Sequence, residues 1–180
     1  VEGDERLRLF LALPLPEEFL ERLVDWQAAA FFGAAGVQVV PPGNLHVTLA
    51  FLGGRPAGEV DAIAAELRAA AAGAERPVLS AVGYRETSSV GMVVLDDEGG
   101  AAGRLQADLA DRLERLGVYR PEGRPWLPHV TVLRFRRRPR LRPAPPELGE
   151  VSPSEAALYT SVLRSSGAQY EIRESAPLGG

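Results

Sequence analysis

Apolar and polar positions alternate along several short stretches of this chain. Leu7, Leu9, Leu11 and Leu13 recur at every second position, so residues 6–13 predict a strand with one buried face. Pro14 and Pro16 end it. From Glu17 to about Phe31 the period lengthens to that of an amphipathic helix: Phe19, Leu20, Leu23, Val24 and Gln27 share a side, acidic residues fill the first turn, and Gly33 and Gly36 follow. A short strand (Val37 to Val40) leads through Pro41-Pro42-Gly43 into a strand over Asn44 to Leu52, with Leu45, Val47, Leu49 and Phe51 as its apolar positions. The pattern then predicts a helix from about Ala57 to Ala72 and strands at Val78 to Tyr84 and Val90 to Leu95. A helix over Ala101 to Leu116 and a strand over His129 to Phe135 come next. Ala156 to Leu163 and Gln169 to Arg173 read as a closing hairpin through Ser165-Ser166-Gly167.

The order strand–helix–strand–strand thus occurs roughly twice. Alternation in most strands means sheets with one covered face, which predicts an antiparallel or mixed α+β fold rather than a doubly wound parallel sheet. At 180 residues the chain is one domain by length, with enough residues to bury a core and no segment that reads as an interdomain linker.

The chain contains only two histidines, 83 positions apart, and both stand in the same phrase: His46-Val47-Thr48-Leu49 and His129-Val130-Thr131-Val132. Residues two apart on a strand share a face and lie about 7 Å from each other, so each histidine has a threonine hydroxyl beside it. The repeat predicts two lobes with a histidine strand at the inner edge of each. Facing one another, the strands would supply two imidazoles and two hydroxyls, a set suited to phosphate chemistry. Imidazole titrates near neutrality, so one ring can take a proton while the other gives one. The hydroxyls can donate to phosphate oxygens as charge builds there. Arg134, five residues after His129, has the opposite parity on a regular strand and reaches the site only if that strand ends or bulges. Trp126, Phe135, Tyr159 and Tyr170 read as core or cleft-wall residues.

Composition narrows the chemistry. Cysteine is absent, which removes thiol nucleophiles and Cys-ligated metals. Lysine is absent too, since all 20 basic residues are arginine, which removes Schiff bases and self-adenylating ligases. Two histidines without clustered carboxylates are a poor metal site, and Asp96-Asp97-Glu98 before Gly-Gly reads as a solvated loop. No metal or other cofactor is expected. No apolar run approaches the ~20 residues of a membrane span and no signal peptide is legible, so a cytoplasmic protein is expected, without membrane contact and as a monomer. The net charge of -4 hides an arginine-dense run, Arg134, Arg136, Arg137, Arg138, Arg140 and Arg142, just past the second histidine. That run is either a solvated loop or an electrostatic lure for phosphates.

The paired His-x-Thr phrases resemble the signature of the 2H phosphoesterase superfamily. The flanking text is similar to its bacterial and archaeal RNA 2′,3′-cyclic phosphodiesterases, historically called 2′-5′ RNA ligases. The resemblance is carried by Arg6-Leu7-Arg8-Leu9-Phe10, by Asn44-Leu45-His46-Val47-Thr48-Leu49-Ala50-Phe51-Leu52-Gly53, by Arg124-Pro125-Trp126-Leu127-Pro128-His129-Val130-Thr131-Val132-Leu133-Arg134, and by Leu158-Tyr159 through Gly167-Ala168-Gln169-Tyr170. It covers about residues 6–178; the Arg136–Arg142 loop is the main departure. It implies a bilobed α+β fold of two pseudo-symmetric antiparallel sheets backed by helices, with the motifs facing across a cleft. It implies metal-independent hydrolysis of an RNA terminal 2′,3′-cyclic phosphate to a 2′-phosphate. By position, His46 would be the general acid, His129 the general base, and Thr48, Thr131 and Arg134 the phosphate holders; the partners would be RNA 3′ ends or related nucleotides. Two alternatives remain open: ATP-independent 2′-5′ RNA ligation or 2′-5′ phosphodiester cleavage, and an RNA-end-binding module without turnover. Titratable histidines favour proton transfer over mere binding.

Overall fold

A computed structural model describes residues 5–179. The strands are β1 (Arg6–Pro14), β2 (Val37–Val39), β3 (His46–Pro56), β4 (Val78–Glu86), β5 (Val90–Glu98), β6 (His129–Phe135), β7 (Glu150–Val151), β8 (Glu155–Arg164) and β9 (Gly167–Pro177). The helices are α1 (Glu17–Ala30), α2 (Val60–Ala72) and α3 (Ala101–Arg115). The expected elements are all present, with small shifts at their ends. A 3-10 turn occupies Ala57–Glu59, so α2 starts three residues later than the alanine pattern predicts. The two-residue β7 has no legible pattern of its own.

Every strand pairing is antiparallel, and the fold class is α+β as expected. The order β7-β4-β5-β6-β3-β1-β8-β9 forms one continuous sheet, with β2 added against β6. The two expected sheets are its halves. They meet at one bridging pair, Val47 opposite Val130, so the histidine strands β3 and β6 do lie at the inner edges. The halves are not successive halves of the chain, however. The C-terminal hairpin β8–β9 returns to pair with β1 and completes the β3 half. Local periodicity carries no information about such a long-range pairing.

One face of the sheet carries the main core. Leu9, Leu11 and Leu13 of β1 lie there, fully buried with Val47, Val130 and Leu133, and the apolar sides of the helices cover them. Burying each such side chain is worth roughly 1.5–3 kcal/mol. The alternate residues Phe10 and Ala12 turn to the other face, where they form a small cluster with Ala157 and Tyr159. Gln27, placed among the apolar positions of α1 by its spacing, is buried and donates from Nε2 to the carbonyls of Val40 (3.1 Å) and Val132 (3.0 Å), tying α1 to the sheet.

The acidic triplet does not form a solvated loop. It ends β5, and the Asp97 carboxylate accepts the N–H groups of Ala102 (3.1 Å) and Gly103 (2.7 Å). It therefore satisfies two of the orphan donors at the start of α3. Gly91 of β5 leaves room for the Tyr84 ring, whose hydroxyl, Cε2 and Cζ would all collide with an added Cβ. Gly91→Ala is expected to cost about 1–3 kcal/mol through forced repacking. Urea unfolding measures this, and an unchanged midpoint would contradict it.

Candidate active site

Antiparallel pairing at Val47–Val130 sets the geometry of the site. Those two valines point into the core, so their neighbours in sequence point the other way. By the same register His46 lies across from Thr131, and Thr48 across from His129. Each histidine therefore has a threonine beside it on its own strand and another across the seam. Two identical strand phrases meeting head to tail produce this crossed square, and all four residues line one cleft.

Arg134 joins them. In the β5–β6 ladder Met92 pairs with Thr131 but Gly91 with Leu133, so Val132 is an extra residue in β6. Val132 and Leu133 are consequently both buried, and the parity inverts after them. Arg134 comes out on the histidine face and lines the cleft. The bulge that the sequence required for this arginine is present. β3 does the same: its pairing with β1 skips Leu49, and Leu49 and Ala50 are both buried. Phe51, five after His46, is thereby turned out of the apolar face assigned to it from the alternation. It stands 49% exposed at the cleft, the structural counterpart of Arg134. The guanidinium of Arg8 lies over its ring, 4.9 Å from the centroid. Arg8 and Phe51 were not marked as site residues by the sequence; the equal five-residue spacing after both histidines was the signal for Phe51.

The two imidazoles are oriented alike. Nδ1–H of His46 donates to the Asn44 carbonyl (2.9 Å), and Nδ1–H of His129 to the Leu127 carbonyl (2.8 Å), in each case two residues upstream. This tautomer leaves Nε2 of each neutral ring as the unprotonated nitrogen. Nε2 of neutral His46 accepts from the Thr48 hydroxyl at 2.9 Å. Thr48 is held in turn through its carbonyl, which accepts from Nε1 of Trp126 at 3.1 Å. Tyr159 and Tyr170 are wall residues as expected: Phe10 stacks on His46 (4.9 Å between centroids) and on Tyr159 (5.0 Å), and Tyr170 meets His46 edge-on (5.5 Å).

Burial within this aromatic wall pushes the His46 imidazole down to about 4; the Asn44 carbonyl opposes the shift, and the charges of Arg134 and His129 add to it. The consequence for folding has a definite sign. The unfolded chain takes up this proton near 6.5 and the folded chain only near 4. The stabilisation is therefore complete above about pH 6.5 and is lost as pH falls toward 4. The shift corresponds to roughly 3 kcal/mol. The stability difference between the wild type and His46→Asn is expected to shift by that amount, against the wild type, over this window. A pH-independent difference would contradict it.

The cleft is small, ≈ 150 Å³, below the roughly 300 Å³ at which pockets enclose a whole small ligand. It suits a phosphate with part of its sugar, the rest of the ligand lying outside. Among the described residues its lining includes two arginines (Arg8 and Arg134), two imidazoles and hydroxyls, and no carboxylate.

Comparison with known proteins agrees with this architecture. Residues 13–87 match the family model described as LigT like Phosphoesterase. The chain is 36% identical to an RNA 2′,3′-cyclic phosphodiesterase of Thermus thermophilus, over 97% of this chain and 91% of that protein. It is 30% identical to an RNA 2′,3′-cyclic phosphodiesterase of Escherichia coli, over 92% and 93%. The crystal structure of E. coli LigT complexed with 3′-AMP superposes with a TM-score of 0.82 at 26% identity, covering 98% of this chain and all of that one. With near-complete coverage at this identity, the chain belongs to the LigT-like phosphoesterases, the family of the RNA 2′,3′-cyclic phosphodiesterases.

Proposed function

We propose that the protein hydrolyses the 2′,3′-cyclic phosphate at an RNA 3′ end to a 2′-phosphate, with His46 and His129 as an acid–base pair and without a metal. The observation that carries this reading is the crossed square of two imidazoles and two hydroxyls beside Arg134, in a cleft lined by no carboxylate among the described residues. In the reaction, His129 Nε2 takes a proton from water as the water oxygen bonds to phosphorus. The bond from phosphorus to the 3′ oxygen breaks, and His46 Nε2 delivers a proton to that oxygen. Thr48, Thr131 and Arg134 donate to the non-bridging oxygens, where negative charge grows. His46 must be charged to act as the acid, and the free protein holds it neutral at pH 7. The diester supplies what is missing: its negative charge, seated against the ring, raises the proton affinity of His46 in the complex. Bacterial relatives named for the same activity support this substrate.

The experiment is a pH–rate profile in excess EDTA. A pair that works with one proton between its members gives a bell, and kcat/KM reports the free enzyme. On the acid side the bell falls where both imidazoles carry a proton and none is left to act as base; His46 charges only near 4, so the acid limb of kcat/KM is expected no higher than about pH 4. The acid limb of kcat is expected at higher pH, because the bound diester raises that value. A profile without an acid limb, or activity lost in EDTA and restored by metal, would overturn the mechanism.

A further inference from the structure

We propose that the arginine segment following β6 is a second contact surface for the substrate strand. The terminal cyclic phosphate occupies the His–Thr cleft while phosphates on its 5′ side lie along Arg136, Arg137 and Arg142, making an oligonucleotide a better substrate than a mononucleotide. The proposal rests on the reading of the cleft given above and deepens it.

Residues 134–142 contain six arginines and no acidic residue. Among the described residues only one of the six, Arg138, has an ionic partner, with Nε 3.3 Å from Glu86. Arg136, Arg137, Arg140 and Arg142 are exposed. Such a run repels itself, and it keeps a defined course because other groups hold its backbone. Glu86, almost fully buried, accepts the N–H groups of Arg140 (2.9 Å) and Leu141 (3.0 Å) as well as the Tyr84 hydroxyl (2.8 Å). Trp26 Nε1 donates to the Ala144 carbonyl at 3.0 Å, and Arg22 Nε to that of Leu148 at 3.0 Å. Arg140 sits at φ 57°, in the left-handed region uncommon for a residue with a side chain, with its N–H on Glu86. The fold fixes the segment and leaves the guanidinium groups of Arg136, Arg137 and Arg142 unused.

Position and charge name the partner. The run begins with Arg134, which lines the cleft, and Arg136 and Arg137 follow it directly where β6 ends. The cleft is too small for a whole nucleotide, so a strand ending in it must continue outside. Outside these six arginines the chain carries 14 arginines against 24 acidic residues, a balance of -10. A polyanion is thus repelled by most of the molecule and drawn to this segment. The segment exposes no large apolar side chain, since Phe135 is buried and Leu141 half-buried, so it lacks the apolar anchors of a membrane-surface element.

The test measures kcat/KM for a mononucleoside 2′,3′-cyclic phosphate and for a hexanucleotide ending in the same group, across a range of salt. The proteins are the wild type and Arg136→Gln/Arg137→Gln/Arg142→Gln, which leaves Arg134, Arg138 and the Glu86 anchor intact. The wild type is expected to favour the hexanucleotide. The variant is expected to lose that preference, with the salt slope for the hexanucleotide falling by about 2, near 0.7 per phosphate contact. Its mononucleotide rate is expected to be unchanged. An equal hexanucleotide preference and slope in both proteins would overturn the proposal. If the wild type turns over neither substrate, the cleft reading fails, and fluorescence anisotropy with a labelled hexanucleotide ending in a 2′-phosphate tests the surface separately. Binding lost in the variant sustains the surface, and equal binding overturns it. Arginine-dependent binding to phosphatidylserine vesicles, with RNA handling unaffected, would overturn it in favour of a lipid surface.

Discussion

His129→Ala is expected to lower kcat/KM for a cyclic-phosphate RNA by about 10²–10⁴, and His46→Ala by a similar factor, because each removes one positioned proton-transfer group. The double variant is expected to fall little further than the worse single one, since a lone member of an acid–base pair completes neither half of the exchange. His129 tolerates the change structurally. Its ring is half-buried and, among the described residues, makes one hydrogen bond, to the Leu127 carbonyl, whose loss frees an acceptor close to solvent. His46 is the more integrated ring, stacked on Phe10 and bonded at both nitrogens, so His46→Ala carries some loss of stability as well. Urea unfolding of both variants separates folding from chemistry. A folded His129→Ala protein with wild-type kcat/KM would rule out the pair.

The second large effect is structural. Glu86→Ala is expected to cost roughly 2–4 kcal/mol, because it leaves the Tyr84 hydroxyl and the N–H groups of Arg140 and Leu141 without their acceptor, at about 1–3 kcal/mol for each that stays buried. That is a large share of the roughly 5–15 kcal/mol that holds such a fold together. Burial alone would raise the Glu86 carboxyl, but the hydrogen bonds from Tyr84, Leu141, Arg138 and Arg140 outweigh it and lower it. Its contribution is therefore present above the ordinary glutamate range, near about 4.3, and is lost as pH falls through the lower folded value. Hydrogen exchange reads the local effect: the Arg140 and Leu141 amides are expected to be protected in the wild type and to exchange freely in Glu86→Ala. Unchanged protection at those two amides would show that other contacts hold the loop.

Much of this molecule is legible along the chain because its strands and helices are regular and its histidines are few. The Leu7–Leu13 alternation, the α1 stripe and the two His-x-Thr phrases each report a local preference that the fold retains. Arg134 marks the limit of that reading. Parity places it on the wrong face, and only the extra residue Val132 in the β5–β6 register brings it into the cleft. Phe51 fails for the same reason, through Leu49 in β3. A bulge is a property of a strand pair, so a single strand's periodicity does not contain it. The return of β8–β9 to the first half and the hold of Glu86 on a loop 54 residues away are likewise long-range. Asp97 was within reach: a carboxylate a few residues ahead of a helical pattern is a capping signal, outweighed here by the adjacent acids and the Gly-Gly pair.

The proposed chemistry is the opening of a cyclic phosphate by the two histidines of this cleft. Its most direct test is a short RNA ending in 2′,3′-cyclic phosphate, incubated in EDTA with the wild type, His46→Ala and His129→Ala, with the position of the product's phosphate determined. A 2′-phosphate is expected from the wild type and next to none from either variant. A 3′-phosphate, or equal product from a folded variant lacking either imidazole, would contradict it.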